Sequence, residues 1–104
     1  MVHDALGRTH TGEYFVYILE SMVDGTLYTG QTQNLKERFR RHNGGLVKAT
    51  RSRAPYRLAY FEVYRTRAEA MWREWELKKK WNTQRKKKLI ELFDTSKLKE
   101  ILGP

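Results

Sequence analysis

Residues 14–21, YFVYILES, are apolar or aromatic at almost every position. A run without polar alternation predicts a strand buried on both faces. Such a strand needs covering layers on two sides, and this constrains the rest of the chain. Asp24-Gly25 follows as a short-range hairpin signal, and TLYTG at 26–30 returns as the partner strand. A hairpin loop with an even number of residues pairs positions whose numbers add to an odd value. Directly opposed side chains share a face. An even loop therefore puts Tyr17 and Tyr28 on the same face; an odd loop or a bulge separates them. The even loop is the expectation here.

Helices fit the remaining segments. Asn34 is an N-cap residue with Glu37 three positions on, which predicts a helix from Leu35 to about His42. Asn43-Gly44-Gly45 ends it with glycine C-cap chemistry. Leu35 and Phe39 face the core, and Arg38, Arg41 and His42 form the adjoining stripe. After a basic loop at 43–55, YRLAYFEVY at 56–64 reads as a third strand. Thr66 and Glu69 form a capping box that opens a second helix, expected to bury Ala68, Met71, Trp72 and Trp75. Thr83 is expected to cap a third helix carrying Leu89, Ile90 and Phe93, and Ser96 starts a last short turn. The order β-β-α-β-α-α predicts an α+β fold, a small three-stranded antiparallel sheet flanked by helices.

At 104 residues the chain is one domain. It has no cysteine, which excludes disulfides and thiolate metal sites. No apolar run approaches the ~20 residues needed to cross a bilayer, and no signal peptide is visible at the start. A cytoplasmic protein without a membrane partner is the expectation. The charge is +9 and uneven: residues 35–53 carry net +6, residues 65–88 net +7 and the first 34 residues net −3. Two basic blocks on a small domain point to a polyanion. Neither block joins a wide apolar face of the kind a membrane surface takes.

Phosphodiester hydrolysis needs an activated water, a cation on the scissile phosphate and donors for developing negative charge. Mg²⁺ keeps most of its waters and needs one or two carboxylates. Glu74, mid-helix in WREWELKKK, is the best-placed acid, although an i,i+4 pair with Lys78 is the ordinary role for such a residue. Arg38, one turn from His42, is able to grip a phosphate bidentately. His3 and His10 lie in the leader and His42 stands apart from them, so no histidine metal cluster is indicated. No phosphate loop, dinucleotide fingerprint or Ser-His-Asp arrangement is present.

Taken together, FVY at 15–17, YTG at 28–30, Thr32, NLKERFRRH at 34–42 and AEAMWREWELK at 68–78 resemble the GIY-YIG endonuclease domain. KATRSRAPYRLAYFE at 48–62 is similar to its small single-domain bacterial members. The resemblance runs from residue 14 to about 80. It implies a domain over 13–93, preceded by a flexible leader over 1–12 and followed by a short helical tail over 94–104. It also implies cleavage of DNA with Mg²⁺ or Mn²⁺. Position by position, Tyr17 and Tyr28 match the tyrosines of the two motif halves, Gly30 the closing glycine, Arg38 the phosphate-binding arginine and Glu74 the metal ligand. Thr32 and His42 are accessory. Phe15, Val16 and Thr29 depart from the pattern in ways that alter packing, and Gln31 stands where some members carry a lysine.

The expected activity is one-metal hydrolysis of DNA, with little sequence preference, in DNA repair or processing. Either tyrosine could serve as the base. Arg41, Lys48, Arg51, Arg53, Lys78, Lys79 and Lys80 would track the nucleic-acid backbone, with DNA preferred to RNA. No small-molecule cofactor is expected. An exposed Trp81 would suit a homodimer or a recruiting protein. The rival reading is a non-catalytic nucleic-acid-binding module that keeps the nuclease fold.

Overall fold

The computed structural model describes residues 2–3, 9–10 and 13–103. In the leader, β1 (Val2–His3) and β2 (Thr9–His10) pair antiparallel. The rest of the leader and its expected flexibility lie outside the described residues.

The apolar run becomes β3 (Tyr14–Ser21), and Phe15 to Leu19 are all buried. It is the central strand of a three-stranded antiparallel sheet, between β4 (Leu27–Thr32) and β5 (Tyr56–Tyr64). The turn closes at Asp24-Gly25, where Gly25 takes a φ of 76°. Phe15 pairs with Thr32, Tyr17 with Gly30 and Leu19 with Tyr28. These numbers add to an odd value, so Tyr17 and Tyr28 share a face, as the even loop requires.

Four helices cover the sheet. α1 (Leu35–Asn43) starts on Asn34, whose Oδ1 accepts from the Glu37 N–H at 3.1 Å. Gly45, at φ 73°, turns the chain out of it. α2 (Arg67–Lys79) opens with the Thr66–Glu69 capping box. α3 (Thr83–Leu92) is capped by Asn82, one residue before the expected Thr83, because the Asn82 amide oxygen reaches the Arg85 N–H at 2.8 Å. α4 (Ser96–Leu102) closes the described chain.

One face of the sheet presents Phe15, Tyr17, Leu19, Tyr56 and Leu58, packed with Leu35 and Phe39 of α1 and Leu98, Ile101 and Leu102 of α4. The opposite face packs Val16 against Ala70 and Leu77 of α2, with Leu89 of α3 alongside.

The inward face of α2 differs from the expectation. Ala68, Met71, Trp72 and Trp75 are exposed, and Ala70 and Leu77 are buried. A small alanine lets the helix axis approach the sheet, and the bulky aromatics are left outside. Trp81, expected to be exposed, is half-buried beside Val16, Ala70 and Leu77. The Arg85 and Arg73 guanidinium carbons lie 3.6 and 4.8 Å from its ring centroid.

Arg73 also locks α2 to β5. Its Nε and Nη2 each donate to Glu62 at 2.9 Å, and its Nη1 donates to Glu76 at 2.6 Å. Tyr60 and Tyr64 donate to the same Glu62 carboxylate. Burial pulls the Glu62 carboxyl upward, but the hydrogen bonds from Arg73 and the two tyrosines outweigh it and hold the group below its ordinary value.

Candidate functional site

The site starts at the β3–β4 pairing. Tyr17 lies across from Gly30, and its ring passes directly over the glycine. A Cβ at position 30 would stand 2.5 Å from the Tyr17 hydroxyl oxygen and 2.7 Å from Cζ. This is the physical reason for glycine in the Tyr-x-Gly stretch.

Two groups act on the Tyr17 hydroxyl. Its oxygen is 2.8 Å from His42 Nε2, and the Arg38 guanidinium acts on the same phenol, favouring its charged form. Both partners come from α1, where 38 and 42 are one turn apart. His42 is fully buried, not part of a solvated stripe. Its Nδ1 lies 2.7 Å from Thr50 Oγ1, and that hydroxyl donates to the Val47 carbonyl at 3.4 Å. When the Thr50 proton is given to Val47, the His42 proton sits on Nδ1 and is donated to Thr50 Oγ1. Nε2 is then the acceptor of the Tyr17 proton.

Sequence reasoning passed over Thr50. The signal was faint: one neutral hydroxyl within the basic loop, eight residues beyond His42. The loop is pinned near it, because the Tyr56 hydroxyl donates to the Thr50 carbonyl at 3.1 Å and Ser21 Oγ donates to the Arg53 carbonyl at 2.7 Å.

Electrostatics follow from this geometry. Burial pushes the Tyr17 phenol up to about 12, against the lowering effect of Arg38. Burial, and then the charge of Arg38, pulls His42 down to about 4. At neutral pH the pair is a phenol donating to a neutral imidazole.

Tyr28 and Glu74 complete the group. The Tyr28 ring centroid is 5.1 Å from that of His42. Lys78 Nζ sits 5.7 Å over the Tyr28 ring and 3.2 Å from Glu74 Oε2. The Glu74 charge is felt at Tyr17. Glu74 lies between Ala70 and Leu77 along α2, so it turns toward the sheet edge and not to open solvent. Lys78, expected to track a backbone, is therefore part of this cluster.

The other candidates spread outward. Thr32 Oγ1 accepts from the Asn34 N–H at 3.1 Å and shapes the entry to α1. Arg41 is half-buried; Lys48, Arg51, Arg53, Lys79 and Lys80 are exposed. Arg53 is bound to Asp24 at 3.1 Å, so its charge is already partly neutralised. A cleft of about 640 Å³ between β5 and the C-terminal helices is lined by none of these residues.

Among the described residues, no three His, Cys, Asp or Glu side chains converge as a metal cage. The donor set at Tyr17 is one carboxylate. That set fits a hydrated Mg²⁺ or Mn²⁺, which takes one or two carboxylates and keeps water in its other positions. No helix among the described residues is long and apolar enough to cross a membrane.

Residues 13–88 match the family model described as the GIY-YIG catalytic domain. A UPF0213 protein of Clostridium perfringens is 40% identical over 87 residues, covering 83% of this chain and 88% of the relative. A UPF0213 protein of Staphylococcus aureus is 42% identical over 79 residues, covering 75% and 94%. The solution NMR structure of a UPF0213 protein from Bacillus halodurans is 37% identical. It aligns with a TM-score of 0.50 over 77% of this chain and 84% of that one.

Proposed function

This chain belongs to the GIY-YIG nuclease family, and on that footing we propose that it is a divalent-metal-dependent endonuclease. It hydrolyses phosphodiester bonds in DNA with little sequence preference, in repair or processing. The observation that carries this reading is the Tyr17 hydroxyl, 2.8 Å from His42 Nε2 and under the influence of the Arg38 guanidinium. A buried tyrosine needs some partner for its hydroxyl; one set beside both an imidazole nitrogen and a cation has a proton path and a charge stabiliser at the same oxygen.

Glu74 would hold Mg²⁺ or Mn²⁺, which when bound would supply charge neutralisation at the scissile phosphate and a more acidic bound water. Arg38 binds a phosphate oxygen and stabilises the negative charge that grows as the phosphorus becomes pentavalent. Tyr17 orients the attacking water. As the water oxygen bonds to phosphorus, its proton passes to the Tyr17 oxygen and the Tyr17 proton to His42 Nε2; the opposite P–O bond breaks, and the leaving oxygen takes a proton from solvent. Thr50 keeps Nε2 free for this by holding the Nδ1 proton.

A His42 pulled down to about 4 is a weak acceptor in the empty site. Part of that depression comes from Arg38. A phosphate bound to Arg38 cancels its charge and makes His42 more basic as the substrate arrives. Tyr28, half-buried beneath Lys78, lines the approach.

The test is nicking of supercoiled plasmid, with branched and single-stranded oligonucleotides in parallel, by wild type and Glu74→Ala. Cutting that needs Mg²⁺ or Mn²⁺ and is lost with the glutamate supports the proposal. Equal DNA binding by both proteins with no cutting by either refutes it in favour of a non-catalytic binding module.

A further inference from the structure

On the outer side of α2, Trp72 and Trp75 stack on one another. Their centroids are 5.1 Å apart, the planes lie within 27°, and the residues are 63% and 41% exposed. A scattered exposed leucine is ordinary, but a stacked pair of tryptophans left in water is not. Lys80 Nζ lies 5.6 Å over the Trp75 ring, and Lys79 is exposed beside it.

Helical geometry ties the pair to the site. At about 100° per residue, the order around α2 runs from buried Ala70 to Glu74, then Lys78, then Trp75, then Lys79 and Trp72. The aromatic pair thus continues outward from the carboxylate edge. Trp75 lies about 100° and Trp72 about 160° round the helix from Glu74, so a strand leaving a phosphate held between Arg38 and Glu74 reaches Trp75 first.

The charge decides what occupies the surface. Residues 65–88 carry net +7. A second copy docking here would set these cations against their own counterparts. A polyanion with flat apolar rings satisfies both the lysines and the indoles. In a duplex those rings are hidden by pairing and stacking; in an unpaired strand they are free.

We infer that Trp72 and Trp75 form a stacking platform for unpaired nucleobases flanking the scissile phosphate, so that this chain engages single-stranded nucleic acid. The inference rests on the nuclease reading above for its placement beside the phosphate.

Binding is measured on Glu74→Gln protein in chelator, so that nothing is cut. The probes are an oligothymidylate of about twelve nucleotides, an abasic oligomer of the same length and a duplex of that length. The oligothymidylate is expected to quench tryptophan emission, and the abasic oligomer, with the same phosphates, is not. Adding Trp72→Ala and Trp75→Ala together should abolish the quench and weaken oligothymidylate binding at least about tenfold. Duplex and abasic affinities should stay within about twofold, since only phosphate contacts serve them. Phenylalanine at both positions should restore most of the single-strand affinity; circular dichroism verifies the fold of each variant.

Unchanged single-strand affinity in the alanine variant overturns the inference, as does an equal loss for the duplex. So does a wild-type dimer that the alanine variant dissolves, because the patch is then a self-association surface. The nuclease reading is judged separately by cutting with Glu74 intact. Cutting that survives in the alanine variant without base-dependent binding sinks the platform alone. Base-dependent quenching in a protein that cuts nothing sinks the nuclease alone.

Discussion

Gly30→Ala is the sharpest test of how the site is built. The added Cβ would stand 2.5 Å from the Tyr17 hydroxyl oxygen, where ordinary contact begins at 3.4 Å, so the oxygen must retreat by roughly 0.9 Å. A free side-chain end could do that cheaply. Tyr17 is 1% exposed, and its hydroxyl is fixed 2.8 Å from His42 Nε2, so here the movement strains the core or breaks the bond. Overpacking costs about 1–3 kcal/mol, and a buried hydrogen bond lost with its partner left in place costs about 1–3 kcal/mol. Alanine returns up to about 1 kcal/mol by restricting the unfolded chain. Where both costs fall, the net expectation is a destabilisation of about 1–6 kcal/mol, from urea midpoints at unchanged slope. Nicking should fall about a hundredfold, the usual consequence of a 1 Å misplacement at a reacting centre. In a Tyr17→Phe background the stability penalty should shrink but persist, because Cζ still lies 2.7 Å from the new methyl. A Gly30→Ala protein within about 0.5 kcal/mol of wild type and fully active would refute the reasoning, since it would mean the Tyr17 ring is not pinned.

Further expectations concern the surroundings of that ring. Thr50→Val keeps the shape of a buried side chain but removes the oxygen facing His42 Nδ1; it should cost about 1–3 kcal/mol, lower nicking and move the proton from Nδ1 in the ¹⁵N spectrum of His42, and Thr50→Ser should restore all three. His42 charges near 6.5 when unfolded and only near 4 when folded, so its contribution is complete above 6.5 and lost as pH falls toward 4. Urea midpoints should therefore decline less steeply for His42→Gln than for wild type over that window. Thr29 Oγ1 is buried without a hydrogen-bond partner; Thr29→Val should raise stability by about 1 kcal/mol and the melting temperature by about 4–8 °C.

Much of the scaffold was legible because it depends on local chemistry. The apolar run, the Asp24-Gly25 turn and the Thr66–Glu69 box each act over a few residues, and the strands over 14–21 and 56–64 follow them. The shared face of Tyr17 and Tyr28 followed from parity alone. What escaped was decided by packing between distant segments. Trp72 and Trp75 look like core by size, yet Ala70 allows the closer approach and wins the buried face. Trp81 was placed in solvent, whereas the fold seats it beside Val16 of β3 and Ala70 and Leu77 of α2, with Arg73 and Arg85 over its ring. His42 reads as one more polar residue on a basic helix, and its burial depends on Thr50, which the chain brings back only after the Gly44-Gly45 turn.

The Arg73–Glu62 lock has a bearing on the precision of the active site. Glu74 is the next residue along α2, so the same bidentate grip that ties the helix to β5 sets the compass heading of the carboxylate. A helix is a lever: side-chain tips lie about 5 Å from its axis, so a roll of 20° carries a tip sideways by about 2 Å. A metal ligand tolerates far less. Ala70 and Leu77 alone would leave the cylinder some freedom to roll on a greasy contact. The guanidinium acts as a key in a shaft, converting a sliding surface into an indexed one. The angular tolerance of Glu74, the proposed metal ligand, is thus written into an ion pair on the opposite side of the sheet from the Tyr17 ring.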